Sequence, residues 1–192
     1  MNKTYKISVL RLSLFLLVAG YLFIFPLFYG VSEVNGLSMY PTYQDSDMLL
    51  VKDSNDHVSR GDIVIVKKSG IDKAIVKRVV ATGGDVVSFK DSDMFINGVK
   101  QFEGYVNTDE VTNYTEIKYE VPNDSYFVLG DNRNHSTDSR YFGSVSRAEI
   151  AGVVVTDLTN YGVDSLAFKG FNIFMLAVFV MFVYKEPYKI EL

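Results

Sequence analysis

The chain is 192 residues long, with a net charge of −4, two histidines and no cysteine, which leaves room for one ordinary domain with short appendages. Missing cysteine excludes disulfides and thiolate zinc sites, and two histidines offer little to transition metals. An acidic balance without a basic stripe also excludes phosphate neutralisation, and with it a nucleic-acid partner.

The hydrophobic residues make up 48% of the chain and concentrate at its two ends. Lys3, Lys6 and Arg11 precede Leu12 to Ser32, a run with no charged residue. About 20 such residues, at a helical rise of 1.5 Å, cross a hydrocarbon core of roughly 30 Å. The positive flank puts the N-terminus in the cytoplasm. A cleavable leader is the competing reading, with Gly30-Val31-Ser32 as a weak cleavage site. The length of the run favours an anchor.

Strand signals come next, in close succession. Asp47–Val51 ends in an apolar run, and Asp62–Val66, Ala74–Ala81 and Asp85–Phe89 are short runs with β-branched residues, set off by turn residues. Met94–Ile96 and Val99–Phe102 flank Asn97-Gly98, the strongest short hairpin signal. Glu103–Thr115 is polar and reads as an exposed loop. Glu116–Val121, Tyr126–Leu129 and Ile150–Val155 complete the set. Many short strands without helical spacing between them predict a mainly β, antiparallel domain of barrel or sandwich type. A second apolar run, Leu166 to Tyr184, precedes Lys185 and Lys189. Lacking a polar face, it reads as a second membrane span rather than an amphipathic or core helix. The expected organisation is an anchor over 1–31, a β domain on the outer side over 32–164, and a second span with a short tail over 165–192.

Three stretches carry chemistry. The first is Asn35-Gly36-Leu37-Ser38-Met39-Tyr40-Pro41-Thr42. The second is Val76-Lys77-Arg78-Val79-Val80, leading into Gly83-Gly84-Asp85. The third runs from Gly130-Asp131-Asn132-Arg133 through Ser136-Thr137-Asp138-Ser139-Arg140 to Gly143. A serine is a weak nucleophile until a partner takes its proton. A lysine can do so when burial lowers its pKa from about 10.4 toward 7 or 8. Strand alternation puts Ile75 and Val79 on the face of Lys77, an apolar surround of that kind. Most strand lysines are simply solvated, so Lys77 stands out only in company with the other two stretches. His57 and His135 invite a Ser-His-Asp triad. His57, however, succeeds a polar turn at Asp53-Ser54-Asn55-Asp56, and the triad is disfavoured.

In this order, and with the smaller Arg60-Gly61-Asp62-Ile63-Val64, these stretches resemble the signature boxes of type I signal peptidases. The resemblance implies a Ser38 nucleophile and a Lys77 general base. It further implies that Ser136 hydrogen-bonds the lysine amine, that Asp138 and Arg140 form an ion pair, and that Asp131 is a structural carboxylate beside the site. Gly36 and Met39 fall at oxyanion and cleft positions. Some members carry a serine donor where Gly36 stands, leaving the Ser38 N–H as the oxyanion donor here. Met39 and Tyr40 are candidates either for resting on lipid or for core packing. The implied substrates are preproteins with small residues at the first and third positions before the cut, processed without metal or cofactor. Only about eight residues separate Gly30 from Ser38, under 30 Å when extended, which holds the nucleophile near the outer bilayer surface. The rival reading is a non-catalytic or dedicated factor of the same family for surface pilus assembly. A soluble self-cleaving repressor is disfavoured by the two apolar ends.

Overall fold

The computed structural model describes residues 12–24, 28–53, 57–91, 93–106, 114–159 and 170–176. Its main body is two antiparallel sheets. Strands β1 (Tyr29–Glu33), β2 (Met48–Asp53), β3 (Ile63–Val66) and β4 (Ile75–Thr82) join β9 (Ser125–Leu129), β10 (Val145–Ser146) and β11 (Ile150–Asp157) in the larger one. Its order is β1-β2-β11-β3-β4-β9-β10. The smaller sheet, in the order β7-β6-β5-β8, comprises β5 (Val86–Asp91), β6 (Asp93–Ile96), β7 (Val99–Lys100) and β8 (Tyr114–Glu120). The expected mainly β antiparallel class is therefore observed.

Side-chain alternation along β4 and β9 divides the interior in two. Val79 and Val128 face a cluster with Val58, Val64, Val66, Val145 and Ile150. Phe127 and Leu129 turn the other way, with Val80 and Ala81, toward Val87, Phe89, Met94, Ile96 and Val121. A register shift between Val79 and Ala81 marks where β4 passes from one cluster to the other. Fully buried side chains such as Phe89 and Phe127 each contribute about 1.5–3 kcal/mol of burial. The hairpin at Asn97-Gly98 forms as its sequence requires, with left-handed φ of 52° and 79° at its two central residues.

The structure differs from the sequence expectation in three places. Residues 29–32, which by composition extend the first apolar run, belong to β1 and pair in register with β2 from Tyr29↔Lys52 to Glu33↔Met48. A short apolar, β-branched run satisfies a strand as well as a helix, and pairing with β2 decides between them. Glu103, expected in an exposed loop, is held against the domain with a side chain only 12% exposed, and β8 already begins at Tyr114. The short helix α2 (Ser139–Phe142) and strand β10 carry no periodicity long enough to announce them.

Residues 12–19 form a helix, α1, that runs into a π-helical turn at Gly20–Ile24; 170–176 are also helical. The two segments touch: the Tyr21 hydroxyl donates to Asn172 Oδ1 at 3.1 Å, and the Tyr21 and Phe171 rings meet edge-on at 5.5 Å. Among the described residues no helix is long and apolar enough to cross a membrane. The remainder of both apolar runs lies outside the described residues.

Strand β11 is the keystone of the larger sheet, paired with β2 on one side and β3 on the other. At its buried Gly152, a Cβ would come within 2.5 Å of Val51 Cγ1 and 2.9 Å of the Lys52 carbonyl oxygen. Gly152→Ala is expected to cost about 1–3 kcal/mol by overpacking, read as a lowered thermal midpoint in detergent; an unchanged midpoint would refute the close approach.

Candidate active site

The chain leaves β1 into a turn that is stapled before it reaches Ser38. The Val34 amide donates to the Asp47 carbonyl at 2.8 Å, and Ser46 N–H to the Val34 carbonyl at 2.9 Å. Gly36, at φ 97°, directs its amide to Asp45 Oδ1 at 2.7 Å. Only glycine adopts that left-handed geometry without strain. Two further backbone bonds, Tyr40 N–H to Leu37 O at 3.1 Å and Tyr43 N–H to Met39 O at 3.0 Å, tighten the turn around Ser38. Met39 is 1% exposed and pins the turn to the interior.

Lys77 reaches this turn from β4. Its Nζ donates to Ser38 Oγ at 2.7 Å and to the Val76 carbonyl at 2.8 Å, and the residue is 2% exposed. Burial pushes the amine down to about 8, against the upward pull of Asp138 and Asp131, with Arg140 adding to the downward side. An amine poised near neutrality within hydrogen-bond reach of a hydroxyl has the geometry and the basicity of a general base.

The third stretch leaves β9 and wraps the pair. Asp138 caps α2 and accepts both arms of Arg140, Nε at 2.8 Å and Nη2 at 2.8 Å. Its Oδ2 also accepts the Gly130 amide at 3.1 Å. Asp131 is gripped by Arg78, from Nε at 2.8 Å and Nη2 at 2.6 Å, and accepts the Thr42 hydroxyl at 2.5 Å. Both carboxylates are fully buried, so their ion pairs are structural necessities rather than surface decoration. Asn132 stitches the loop to the Ser38 turn: its amide donates to the Ser38 carbonyl at 3.0 Å and its Nδ2 to the Leu37 carbonyl at 3.1 Å.

Ser38, Lys77, Asp131, Asp138 and Arg140 thus lie together. Ser136 is buried beside them, but it does not bond the lysine amine: its hydroxyl has no partner among the described residues. Lys77 directs its observed bonds to Ser38 and Val76 instead. Gly36 lies by the site with its amide committed to Asp45, so it does not supply an oxyanion donor. Met39 is core rather than cleft lining or lipid contact, whereas Leu37 and Tyr40 stay exposed at 57% and 36%. His57 and His135 are both exposed, and the Ser38 hydroxyl is engaged by a lysine, not an imidazole. Sequence reasoning misses Arg78, Thr42 and Asn132 as site residues. Arg78 and Thr42 stand inside the boxes, but their shared partner Asp131 is distant in the chain.

Signal peptidase I V of Bacillus subtilis (strain 168) is 35% identical over 138 residues, covering 64% of this chain and 81% of that protein. Signal peptidase I U of the same organism is 34% identical over 166 residues, covering 79% of this chain and 88% of its own length. A crystal structure of a signal peptidase I from Enterococcus faecalis V583 superposes with a TM-score of 0.45 at 33% identity, covering 52% of this chain and 98% of the other. The family described as signal peptidase, peptidase S26, matches residues 6–158. The chain belongs to the signal peptidase family, peptidase S26.

Proposed function

We propose that this protein is a membrane-anchored serine endopeptidase that removes signal peptides from secreted preproteins through a Ser38/Lys77 dyad. The observation that carries the reading is the 2.7 Å contact between a buried amine of lowered pKa and a half-buried serine hydroxyl. Ser38 Oγ attacks the scissile carbonyl while Lys77 Nζ takes its proton. The amine then protonates the departing nitrogen, leaving an acyl-serine. Lys77 next draws a proton from water, whose oxygen displaces Ser38 and frees the new carboxyl end. The Ser38 amide, which donates to no described residue, is the donor assigned here to the developing oxyanion.

Preprotein binds in extended form, adding to exposed backbone edges near the dyad. Two features support this. Strand β1 ends the larger sheet, and β4 pairs with β9 only from Arg78 onward, leaving Ile75–Lys77 with a strand neighbour on one side alone among the described residues. Small residues at the first and third positions before the cut are what the family resemblance implies for the segment bound there. The apolar segments beginning at Leu12 and Leu166 anchor the protein, with the β domain on the outer face of the membrane. Exposed Phe28, Leu37 and Tyr40 support a seat at the lipid surface.

Ser38→Ala or Lys77→Ala is expected to reduce preprotein processing by at least about 10³-fold, measured by gel shift of the cleaved product; retained processing in either would defeat the dyad. Because protonated Lys77 cannot accept a proton, kcat/KM should fall as pH drops through about 8. A profile flat from about pH 6 to 9 would contradict that role. Gly130→Ala is a third test. A Cβ there would run into the Ser136 side chain and lie 2.5 Å from the Ser38 carbonyl oxygen. Processing should collapse, since a shift on the order of 1 Å at the reacting serine costs about 10²-fold.

A further inference from the structure

Residues 101–106 do more than lead the chain away from β7. Arg133, in the loop beyond β9, has a side chain only 3% exposed. A guanidinium does not shed its proton, so it must be met by an anion when buried. Glu103 meets it with both oxygens, at 2.9 Å from Nη1 and 2.5 Å from Nη2. Arg133 in turn donates from Nε to the Gly130 carbonyl at 3.0 Å, and its own carbonyl accepts Arg140 Nη2 at 2.7 Å. Gly130 packs directly on Ser136 and the Ser38 carbonyl. A line of contacts therefore runs from Glu103 to the nucleophile.

Tyr105 forms a second line from the same segment. Its ring covers the Arg78 guanidinium at 4.1 Å, a stacking contact that favours one orientation of the fork. Its hydroxyl donates to Glu103 Oε1 at 3.0 Å. Burial, reinforced by the Glu103 carboxylate, pushes the phenol up to about 12, so it remains a donor throughout the working range. Arg78 succeeds Lys77 on β4 and clamps Asp131. The segment thus touches both halves of the site, and it lies outside every signature stretch.

We propose that Glu103 and Tyr105 are positioning residues: through Arg133 and Arg78 they hold the 130–140 loop and the Lys77 strand in register with each other. The proposal rests on the dyad reading, because positioning is defined by what it does to Ser38 and Lys77.

The charged groups acting on the Lys77 amine are Asp138, Asp131 and Arg140. Asp131 bears on Lys77 less while Arg78 is locked to it. Freed of Tyr105, Arg78 loosens, and the carboxylate raises the lysine further. The test uses the full chain in detergent with a preprotein-derived peptide. Tyr105→Leu and Glu103→Gln should each lower kcat by about tenfold to a hundredfold with little change in KM. In Tyr105→Leu the acidic limb of the pH profile should also move to higher pH. Tyr105→Phe, which keeps the ring, should recover most of the kcat lost in Tyr105→Leu. A lowered thermal midpoint with kcat and pH profile unchanged would overturn the proposal, reducing both residues to packing. If Tyr105→Leu fails to fold, the kcat of Glu103→Gln alone decides. Ser38→Ala runs alongside: activity surviving there sinks the dyad reading, whereas a dead Ser38→Ala with unaffected Tyr105 and Glu103 variants sinks only this inference.

Discussion

The arrangement depends on keeping an ammonium group out of water. Lys77 is 2% exposed, and lowering its pKa from 10.5 to about 8 corresponds to about 3 kcal/mol of disfavoured charge. The fold bears that penalty in full below about pH 8, where the amine stays protonated despite burial. The penalty fades as pH rises from about 8 toward 10.5, the window in which an unfolded lysine still binds its proton. Lys77 sits within β4 opposite Val64 of β3, and the rest of the domain supplies the stability that carries it.

Burial alone does not account for the electrostatics. Two carboxylates, Asp138 and Asp131, stand close enough to Lys77 to raise its pKa against the larger effect of desolvation. Each is bound by a bidentate arginine, Arg140 on Asp138 and Arg78 on Asp131. These pairs fix the loop geometry and at the same time blunt the negative field at the amine. Arg140 also lowers the lysine pKa directly, whereas Arg78 acts through the carboxylate it holds. Breaking a buried pair of this type costs about 3–5 kcal/mol, so structural and electrostatic roles are carried by the same atoms.

The legible part of this molecule is local. Ser38, Lys77 and the Asp138–Arg140 pair lie within short stretches that the family resemblance marks, and the alternation around Lys77 announces its apolar face. The Asn97-Gly98 hairpin and most strands of the two sheets are readable from β-branched runs between turn residues. What stays hidden is non-local or chemically ambiguous. Strand β1 merges with the apolar run before it, because Tyr29–Ser32 is as acceptable to a helix as to a sheet until β2 is present. The pairing of Arg78 with Asp131 spans two strands and a loop. Glu103 and Tyr105 read as loop polarity, since nothing nearby in sequence reveals a buried guanidinium waiting for them. The Ser136 bond to lysine rests on resemblance alone, and a bond to the Val76 carbonyl stands in its place.

The conformation of Gly36 sets a limit on how this site can change. Its φ of 97° is open in space, with nothing within 4 Å of where a side chain would begin, so room is not the obstacle. The backbone itself is. A serine introduced there to furnish an extra hydroxyl would have to sit in a region that side-chain-bearing residues avoid, or flip the peptide and abandon the Asp45 carboxylate that anchors the turn. Gaining that donor would therefore demand a rebuilt approach to Ser38 rather than a single exchange of residue.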